Sequence, residues 1–220
     1  MAPLPEHVLI RPLGSADIDQ VVRLESYTLP SNERAGRDKM RYRLYAAPEL
    51  CSGMFVRVPT KKGRCSKKEC QSSKRSQSVD SSASNTEKLI AFVIATKCAG
   101  QYLTDDALAI PEFDKQGGRK STESNDQRGH VETGNTIAID SICVDPEYQG
   151  MKLGTTILRD FVQRMSTQAV AGRVALLARD DMVPFYENLG FYDAGLSNVK
   201  FGGGGWHNLW MSLEDGEIDD

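Results

Sequence analysis

The pattern of hydrophobic positions in the N-terminal half predicts strands that alternate with helices. Apolar and polar residues alternate ahead of Pro12, as in a half-buried strand, and from Ser15 onward apolar residues recur at the spacing of an amphipathic helix. Pro48 ends a further helical segment, and two runs rich in β-branched and aromatic residues follow it. The predicted elements are a strand at 7–12, a helix beginning at 15, a helix at 37–46, and strands at 53–58 and 89–96.

The C-terminal half repeats this alternation at closer spacing. Its predicted elements are a strand at 136–144, a helix at 153–165, a strand at 174–177, a short helix at 183–189, and strands on either side of 202–205. Strands that alternate with helices favour a mixed α/β domain built on a single sheet.

Two polar stretches, at 59–87 and at 114–134, interrupt the pattern. Both have few residues to bury, and we expect them to be mobile insertions in one domain that spans 1–220. A targeting sequence, an anion-binding patch or a nucleic-acid arm is the alternative for the first insertion, although it lacks interleaved aromatic residues. Its basic residues are Lys61, Lys62, Arg64, Lys67, Lys68, Lys74 and Arg75.

Composition narrows the possible functions. A formal net charge of -3 gives no overall reason to expect binding to nucleic acid or to an acidic membrane. The five cysteines form no CxxC pair and follow no secretory leader, and no stretch has the roughly 18 apolar residues of a membrane span. We therefore expect a cytoplasmic protein without membrane or nucleic-acid partners. The three histidines lie in separate segments, which predicts no metal site.

The segment between the strand at 136–144 and the next helix has the character of an anion site. Successive backbone N–H groups at 150–155 can bind a pyrophosphate at the helix N-terminus, and Lys152 adds a positive charge. Gly150 and Gly154 allow a ligand to approach the backbone closely. An ordinary strand-to-helix connection can have the same composition. Without a Walker A sequence or a GxGxxG fingerprint, nucleoside triphosphates and dinucleotides are poorer candidates for the ligand.

Two motifs resemble the GNAT superfamily of acetyltransferases. The run V-D-P-E-Y-Q-G-M-K-L-G-T at 144–155 is similar to the acetyl-CoA loop of that family, (Q/R)xxGx(G/A), with Lys152 where the first glycine usually lies. The run V-P-F-Y-E-N-L-G-F at 183–191 resembles the VPFYxxxGF segment of arylalkylamine N-acetyltransferases. N-E-R-A at 32–35 and P-E-L-C-S-G-M-F at 48–55 resemble the fungal branch of that family, which includes polyamine acetyltransferases.

The resemblance implies a GNAT fold, in which a mixed sheet of about six to seven strands is flanked by helices and a splayed strand pair binds acetyl-CoA. It implies direct transfer of acetyl to the primary amine of a small arylalkylamine, of the serotonin or tryptamine type, or of a polyamine, with no metal. The implied cofactor-binding residues are Ile142, Cys143, Val144, Gln149, Gly150, Met151, Lys152, Leu153, Gly154, Thr155 and Leu177.

The chemistry requires a base, because an alkylamine with a pKa near that of lysine, about 10.4, is protonated at neutral pH. Animal relatives use two histidines at the positions of Ala138 and Asp140. Asp140, expected on the same strand face as Ala138 and Ile142, is therefore the candidate base; a carboxylate that only binds the ammonium group or anchors a loop is the alternative.

The resemblance also implies how the acetyl group is activated and how CoA leaves. The N–H of Ile142 would stabilise negative charge on the acetyl oxygen, and Tyr186 would protonate the departing thiolate. A purely structural tyrosine is the alternative for Tyr186. Cys143 has no adjacent histidine to activate it, which favours direct transfer over an acyl-cysteine intermediate.

For the amine pocket the resemblance indicates Leu29, Pro30, Thr96 and Trp206, and we expect a monomer or weak dimer. Carboxylates that can attract a second ammonium group, and so favour a polyamine, are Glu33, Asp105 and Asp106. Two alternatives to a small-amine enzyme remain open. One is an acetyltransferase for protein lysines or N-termini, and the other is a non-catalytic acyl-CoA sensor, which the retention of Tyr186 disfavours.

Overall fold

The computed structural model describes residues 7–59, 85–114, 118–120 and 126–214. Its helices are α1 (Ile18–Thr28), α2 (Gly36–Ala46), α3 (Asp105–Leu108), α4 (Leu153–Gln168) and α5 (Val183–Glu187). Its strands are β1 (Val8–Pro12), β2 (Cys51–Pro59), β3 (Asn85–Cys98), β4 (Thr136–Val144), β5 (Arg173–Ala178), β6 (Tyr192–Leu196) and β7 (His207–Ser212). Each predicted element is present, and α2 ends two residues before Pro48 as expected.

The strands of the described residues form one seven-stranded sheet in the order β1-β2-β3-β4-β5-β7-β6. Neighbouring strands are antiparallel except β4 and β5, which run parallel and are connected through α4. The single mixed sheet with flanking helices confirms the predicted fold class.

Helices cover both faces of the sheet through apolar stripes. The buried side chains of α4 recur at helical spacing, and each contributes about 1.5–3 kcal/mol when fully buried; they are Leu153, Ile157, Leu158, Phe161 and Met165. The opposite face packs against α1 and α2, through Val21, Leu24, Met40, Leu44, Phe55 and Phe92. Helices thus cover the central strands of the sheet on both sides.

The first predicted insertion falls largely outside the described residues, which exclude 60–84 and with them the basic cluster, and the second does so in part, at 115–117 and 121–125. The strand pair β2 and β3 extends to residues 59 and 85, so 85–87 belong to the sheet rather than to the first insertion. In the second insertion, residues 126–134 are described. There the His130 N–H donates to the Tyr42 hydroxyl at 3.2 Å, and its Nδ1 accepts from the Lys97 N–H at 3.1 Å.

Candidate active site

Strands β4 and β5 are paired at their N-terminal ends and then separate, which opens a gap in the sheet. Their parallel pairing ends at Ile139 and Leu176. Beyond that point β4 stays paired with β3 as far as Val144, while β5 stays paired with β7 as far as Ala178. The gap therefore lies between two strands that are each held from their outer side.

A β-bulge at Asp140 accompanies this separation. On β3, Ile94 pairs with Ser141 and the next residue, Ala95, pairs with Ile139, which leaves Asp140 as the extra residue of β4. An extra residue in one strand bends it and changes the direction of the side chains that follow.

The bulge corrects the sequence-based placement of three β4 side chains on one face. Ala138 packs with Leu103 and Trp206, whereas Ile142 packs against the core on the α4 side. Ile142 thus points away from Ala138, because a strict period of two does not continue through the additional residue at Asp140.

Main-chain groups of β4 face the gap at alternate residues. The Asp145 N–H donates to a carbonyl of β3 at 2.8 Å, so by alternation the main-chain groups of Cys143 also point towards β3. Those of Ile142 and Val144 then point into the gap. In agreement, the Gln149 side-chain amide reaches the Val144 carbonyl at 3.3 Å. Ile142 and Val144 form an open strand edge that can bind an extended ligand.

The loop before α4 provides donors at one end of the gap. The first four N–H groups of an α-helix have no acceptor within the helix. Gly150 and Lys152 both have left-handed backbone conformations, with φ of 77° and 60°, and a Cβ at position 150 would meet no atom within 4 Å. The free N–H groups and the Lys152 ammonium are a donor set that fits the pyrophosphate of acetyl-CoA.

One cavity of about 840 Å³ connects this loop with the gap and continues beyond it. Predicted cofactor residues that line it are Ile142, Cys143, Val144, Gln149, Gly150, Lys152, Leu153, Gly154, Thr155 and Leu177. Met151 does not line the cavity as described and packs against the main core instead. Of the predicted acceptor residues, Leu29, Pro30 and Trp206 line it.

Tyr186 lies on α5 in the wall of this cavity. Its ring makes edge contacts with Phe185 and Phe191, at centroid distances of 5.0 and 5.8 Å, and only 9% of the residue is exposed. Burial raises the pKa of the phenol above its ordinary value. Tyr186 is therefore protonated at neutral pH and held in one orientation.

Asp140 occupies a buried polar cluster. Its side chain is 0% exposed, its Oδ1 lies 2.9 Å from Nη2 of Arg43, and its Oδ2 accepts a hydrogen bond from the Thr96 hydroxyl at 3.0 Å. Within the described residues Oδ1 receives no hydrogen bond, so the Arg43 contact is an ion pair without good directional geometry. Burial raises the pKa of the Asp140 carboxyl, and Arg43 and Thr96 oppose that rise.

This cluster accounts for Thr96, which the sequence assigned to the amine pocket. Thr96 is 1% exposed and is absent from the described cavity lining, because its hydroxyl points to Asp140. Arg43 was missed altogether. It is one of several polar residues on α2, and only the fold brings it to a strand residue 97 positions away in sequence.

Sequence analysis also missed the polar partners at the acceptor end of the cavity. Arg179, directly after β5, donates through Nε to Glu33 at 3.0 Å and lies 3.7 Å from the ring centroid of Trp206. Trp206 donates through Nε1 to the Phe201 carbonyl at 2.7 Å. The sequence offered Glu33 as a carboxylate that could attract a second ammonium group, and no local pattern links it to Arg179.

Within the described residues, no group of three or more His, Cys, Asp and Glu side chains could hold a metal ion. None of the helices in this part of the chain is both long and apolar enough to span a bilayer.

Part of the chain is similar in sequence to known acetyltransferases. Residues 111–211 match the family described as acetyltransferase (GNAT) domain. A curated relative, GCN5-related N-acetyltransferase 2, chloroplastic, from Arabidopsis thaliana, is 40% identical over 50 residues. The match spans 23% of this chain and 19% of that protein, so it covers about a fifth of the relative's length.

Two solved structures share the fold over nearly the whole chain. The loading GNATL domain of CurA from Lyngbya majuscula superposes with a TM-score of 0.63 at 10% identity, over 94% of this chain and 98% of that chain. The PaiA N-acetyltransferase from Thermoplasma acidophilum, solved in complex with coenzyme A, has a TM-score of 0.54 at 12% identity, over 93% and 98%. Residues 111–211, just under half of the chain, thus match the GNAT acetyltransferase family, and the chain as a whole shares the fold of these two structures.

Proposed function

We propose that the protein is an acetyl-CoA-dependent N-acetyltransferase that acetylates the primary amine of a small arylalkylamine or polyamine. The observation that carries this proposal is one continuous cavity of about 840 Å³, which is lined by the loop and strand edge suited to CoA and also by Leu29, Pro30 and Trp206. Two reactants held in one cavity can react directly, without an acyl-enzyme.

The chain offers binding groups along the length of the cosubstrate. Backbone N–H groups at 150–155, with Lys152, would hold the pyrophosphate, and main-chain groups of Ile142 and Val144 would hydrogen bond the pantetheine arm. When bound, acetyl-CoA supplies an acetyl group activated as a thioester. The Ile142 N–H would donate to the acetyl oxygen as negative charge develops there.

Tyr186 is the proposed general acid for the departing thiolate. A phenol with a raised pKa is a weaker acid, but desolvation acts on thiolates in the same direction. Burial raises the pKa of the Cys143 thiol, which lines the same cavity, to about 11. A buried CoA thiolate would likewise be more basic than in water. Burial thus raises the pKa values of the proton donor, Tyr186, and of the acceptor, the CoA thiolate, together, which limits the free-energy cost of the proton transfer.

For Asp140 the surroundings support the anchoring role rather than that of a base. Asp140 lines the cavity, but its carboxylate is fully buried and already faces Arg43 and Thr96. We propose that the ammonium group loses its proton to water in the open cavity, and that Asp140 holds the bulge that aims the Ile142 N–H.

A panel of acceptors tests the proposal. Thiol release from acetyl-CoA would be measured with tryptamine, serotonin, putrescine, spermine and a lysine peptide, and each product would be checked by mass spectrometry for one added acetyl group. We expect turnover on at least one free amine. Acetylation of the peptide alone would indicate a protein acetyltransferase, and tight CoA binding with no turnover would indicate a sensor; either result contradicts the proposal.

A further inference from the structure

Arg179 connects three segments around the acceptor end of the cavity. Its guanidinium donates to the Glu33 carboxylate, to the Gly202 carbonyl at 3.1 Å and to the Gly204 carbonyl, and it stacks on Trp206. Glu33 and Trp206 both line the cavity, as does Arg179 itself. One side chain thus fixes the position of the wall that an acceptor would contact.

The glycine run at 202–205 is shaped to allow these contacts. All four residues have positive φ, from 64° to 95°, a conformation that other residues adopt at a cost. A Cβ at Gly202 would lie 3.0 Å from the Glu33 side chain and 3.3 Å from Trp206, whereas one at Gly203 would meet nothing within 4 Å. Close packing against Glu33 and Trp206 therefore depends on Gly202 in particular.

The carboxylates of the cavity are largely paired before any substrate binds. Among the described lining residues, Glu33, Asp140 and Asp181 carry carboxylates. Glu33 is paired with Arg179, and Asp140 with Arg43. Asp181 is exposed, in the turn that precedes α5. Thr28 also lines the cavity, with its hydroxyl donating to the Leu24 carbonyl at 3.0 Å. The apolar residues of the acceptor end are Leu29, Pro30, Leu103, Leu108, Phe201 and Trp206.

We propose that Arg179 is a specificity-determining residue that makes this end of the cavity a site for a monoamine with an apolar body. By occupying Glu33 it removes the carboxylate that would otherwise bind a second ammonium group. This inference rests on the proposed amine acetylation and selects among its acceptors.

Electrostatics supports the choice of a monoamine over a diamine or polyamine. A second ammonium group beside Glu33 would have to displace Arg179 or stay unpaired there, and both are unfavourable. The remaining lining carboxylate, Asp181, is exposed, so solvent screens its attraction for an ammonium group. The ammonium of Lys39 lies 5.0 Å from the Phe201 ring, where it is offset by the Asp105 carboxylate that accepts from the Lys200 and Phe201 N–H groups. An apolar chain or ring, by contrast, would contact Leu29, Leu108 and Trp206 without losing any polar partner.

Hexylamine and 1,6-diaminohexane form a matched pair that tests the inference, because they differ only in the second amine. In the wild-type protein we expect kcat/KM to favour hexylamine by at least about 10-fold, after allowance for the two equivalent amines of the diamine. Arg179→Met frees Glu33 and should shift this ratio towards the diamine by about 10-fold. Adding Glu33→Gln to Arg179→Met should restore the preference for hexylamine.

Arg179→Lys separates charge from loop geometry. A lysine cannot reproduce the planar contacts to Gly202 and Gly204. Because it keeps a positive charge beside Glu33, the wild-type ratio of kcat/KM values should persist. A wild-type preference for the diamine would overturn the inference, and so would a ratio that Arg179→Met leaves unchanged. The wild-type ratio decides even where a variant fails to fold.

A failure of amine acetylation itself would be recognised separately. If no amine is acetylated, calorimetric titration of the CoA-bound protein with the same two amines replaces turnover. Tighter binding of hexylamine, with the preference reduced in Arg179→Met, would support the acceptor assignment although the proposed reaction is wrong. Equal binding, or tighter binding of the diamine, would overturn it.

Discussion

At the scale of single residues, Lys152 combines a strained backbone conformation with a positive charge at the start of α4. It has a φ of 60° at the position where the resembling family usually has glycine, and it keeps the backbone conformation that glycine would adopt. This conformation costs a residue with a Cβ about 1–2 kcal/mol. The lysine places an ammonium group at the N-terminus of α4, where a phosphate would bind.

Lys152→Gly and Lys152→Ala separate these two effects. Both should weaken CoA binding by about 3- to 5-fold at low salt, because each removes one exposed charge, and less so at high salt. Only Lys152→Gly should raise the free energy of unfolding, by about 0.5–1 kcal/mol, because alanine retains the strained φ. Calorimetry with CoA and urea unfolding would measure the two quantities. Equal stability of the two variants would contradict the strain argument.

At the scale of elements, the bulge in β4 organises the gap, and the buried pair of Arg43 and Asp140 sits against it. The pair joins α2 to the strand whose Ile142 and Val144 main-chain groups face the cavity. A buried ion pair is costly to break from one side, since the remaining charge is left without a partner. We therefore expect the pair to fix the shape of the gap.

Arg43→Met should destabilise the protein in a pH-dependent way. It removes the charge that opposes the raised pKa of Asp140, so that pKa rises further above the unfolded value of about 3.9. Between those two values the folded state alone binds the proton, so the variant's free energy of unfolding falls as pH rises. The loss relative to wild type should reach about 3–5 kcal/mol at neutral pH and shrink in acid.

Urea unfolding over a series of pH values would measure this effect. Arg37→Met is the matched control on the same helix, because the Arg37 and Asp19 side chains are 58% and 77% exposed and their ion pair should contribute less than about 1 kcal/mol. Replacing both members of the buried pair, Arg43→Met with Asp140→Leu, should recover most of the loss. A loss with Arg43→Met that is independent of pH would contradict the assignment.

At the scale of the whole molecule, hydrophobic periodicity predicted the order of elements and the single sheet, because these depend on local pattern. The loop at 149–155 and the segment around Tyr186 were also recognisable, since each is a contiguous run of residues. One cavity is lined by residues of both runs and by Leu29, Pro30 and Trp206, whereas Met151 and Thr96 are not among its described lining residues.

What the sequence could not provide were contacts between distant segments. The bulge at Asp140 depends on its pairing with β3, and it reversed the expected direction of Ile142. The partners Arg43 and Arg179 reach their carboxylates across 97 and 146 positions, a separation at which no local pattern gives a signal. Charges that looked free in the sequence are therefore paired in the fold.

The most direct test of the proposed reaction compares Tyr186→Phe with Tyr192→Phe by thiol release from acetyl-CoA, using the best amine of the panel. Tyr186 lines the cavity, whereas Tyr192 on β6 is 63% exposed and serves as the control. Loss of a general acid should lower kcat by about 100-fold or more and leave CoA affinity nearly unchanged, while Tyr192→Phe should behave as wild type. If Tyr186→Phe keeps wild-type kcat, Tyr186 is not the acid and the proposed chemistry is wrong.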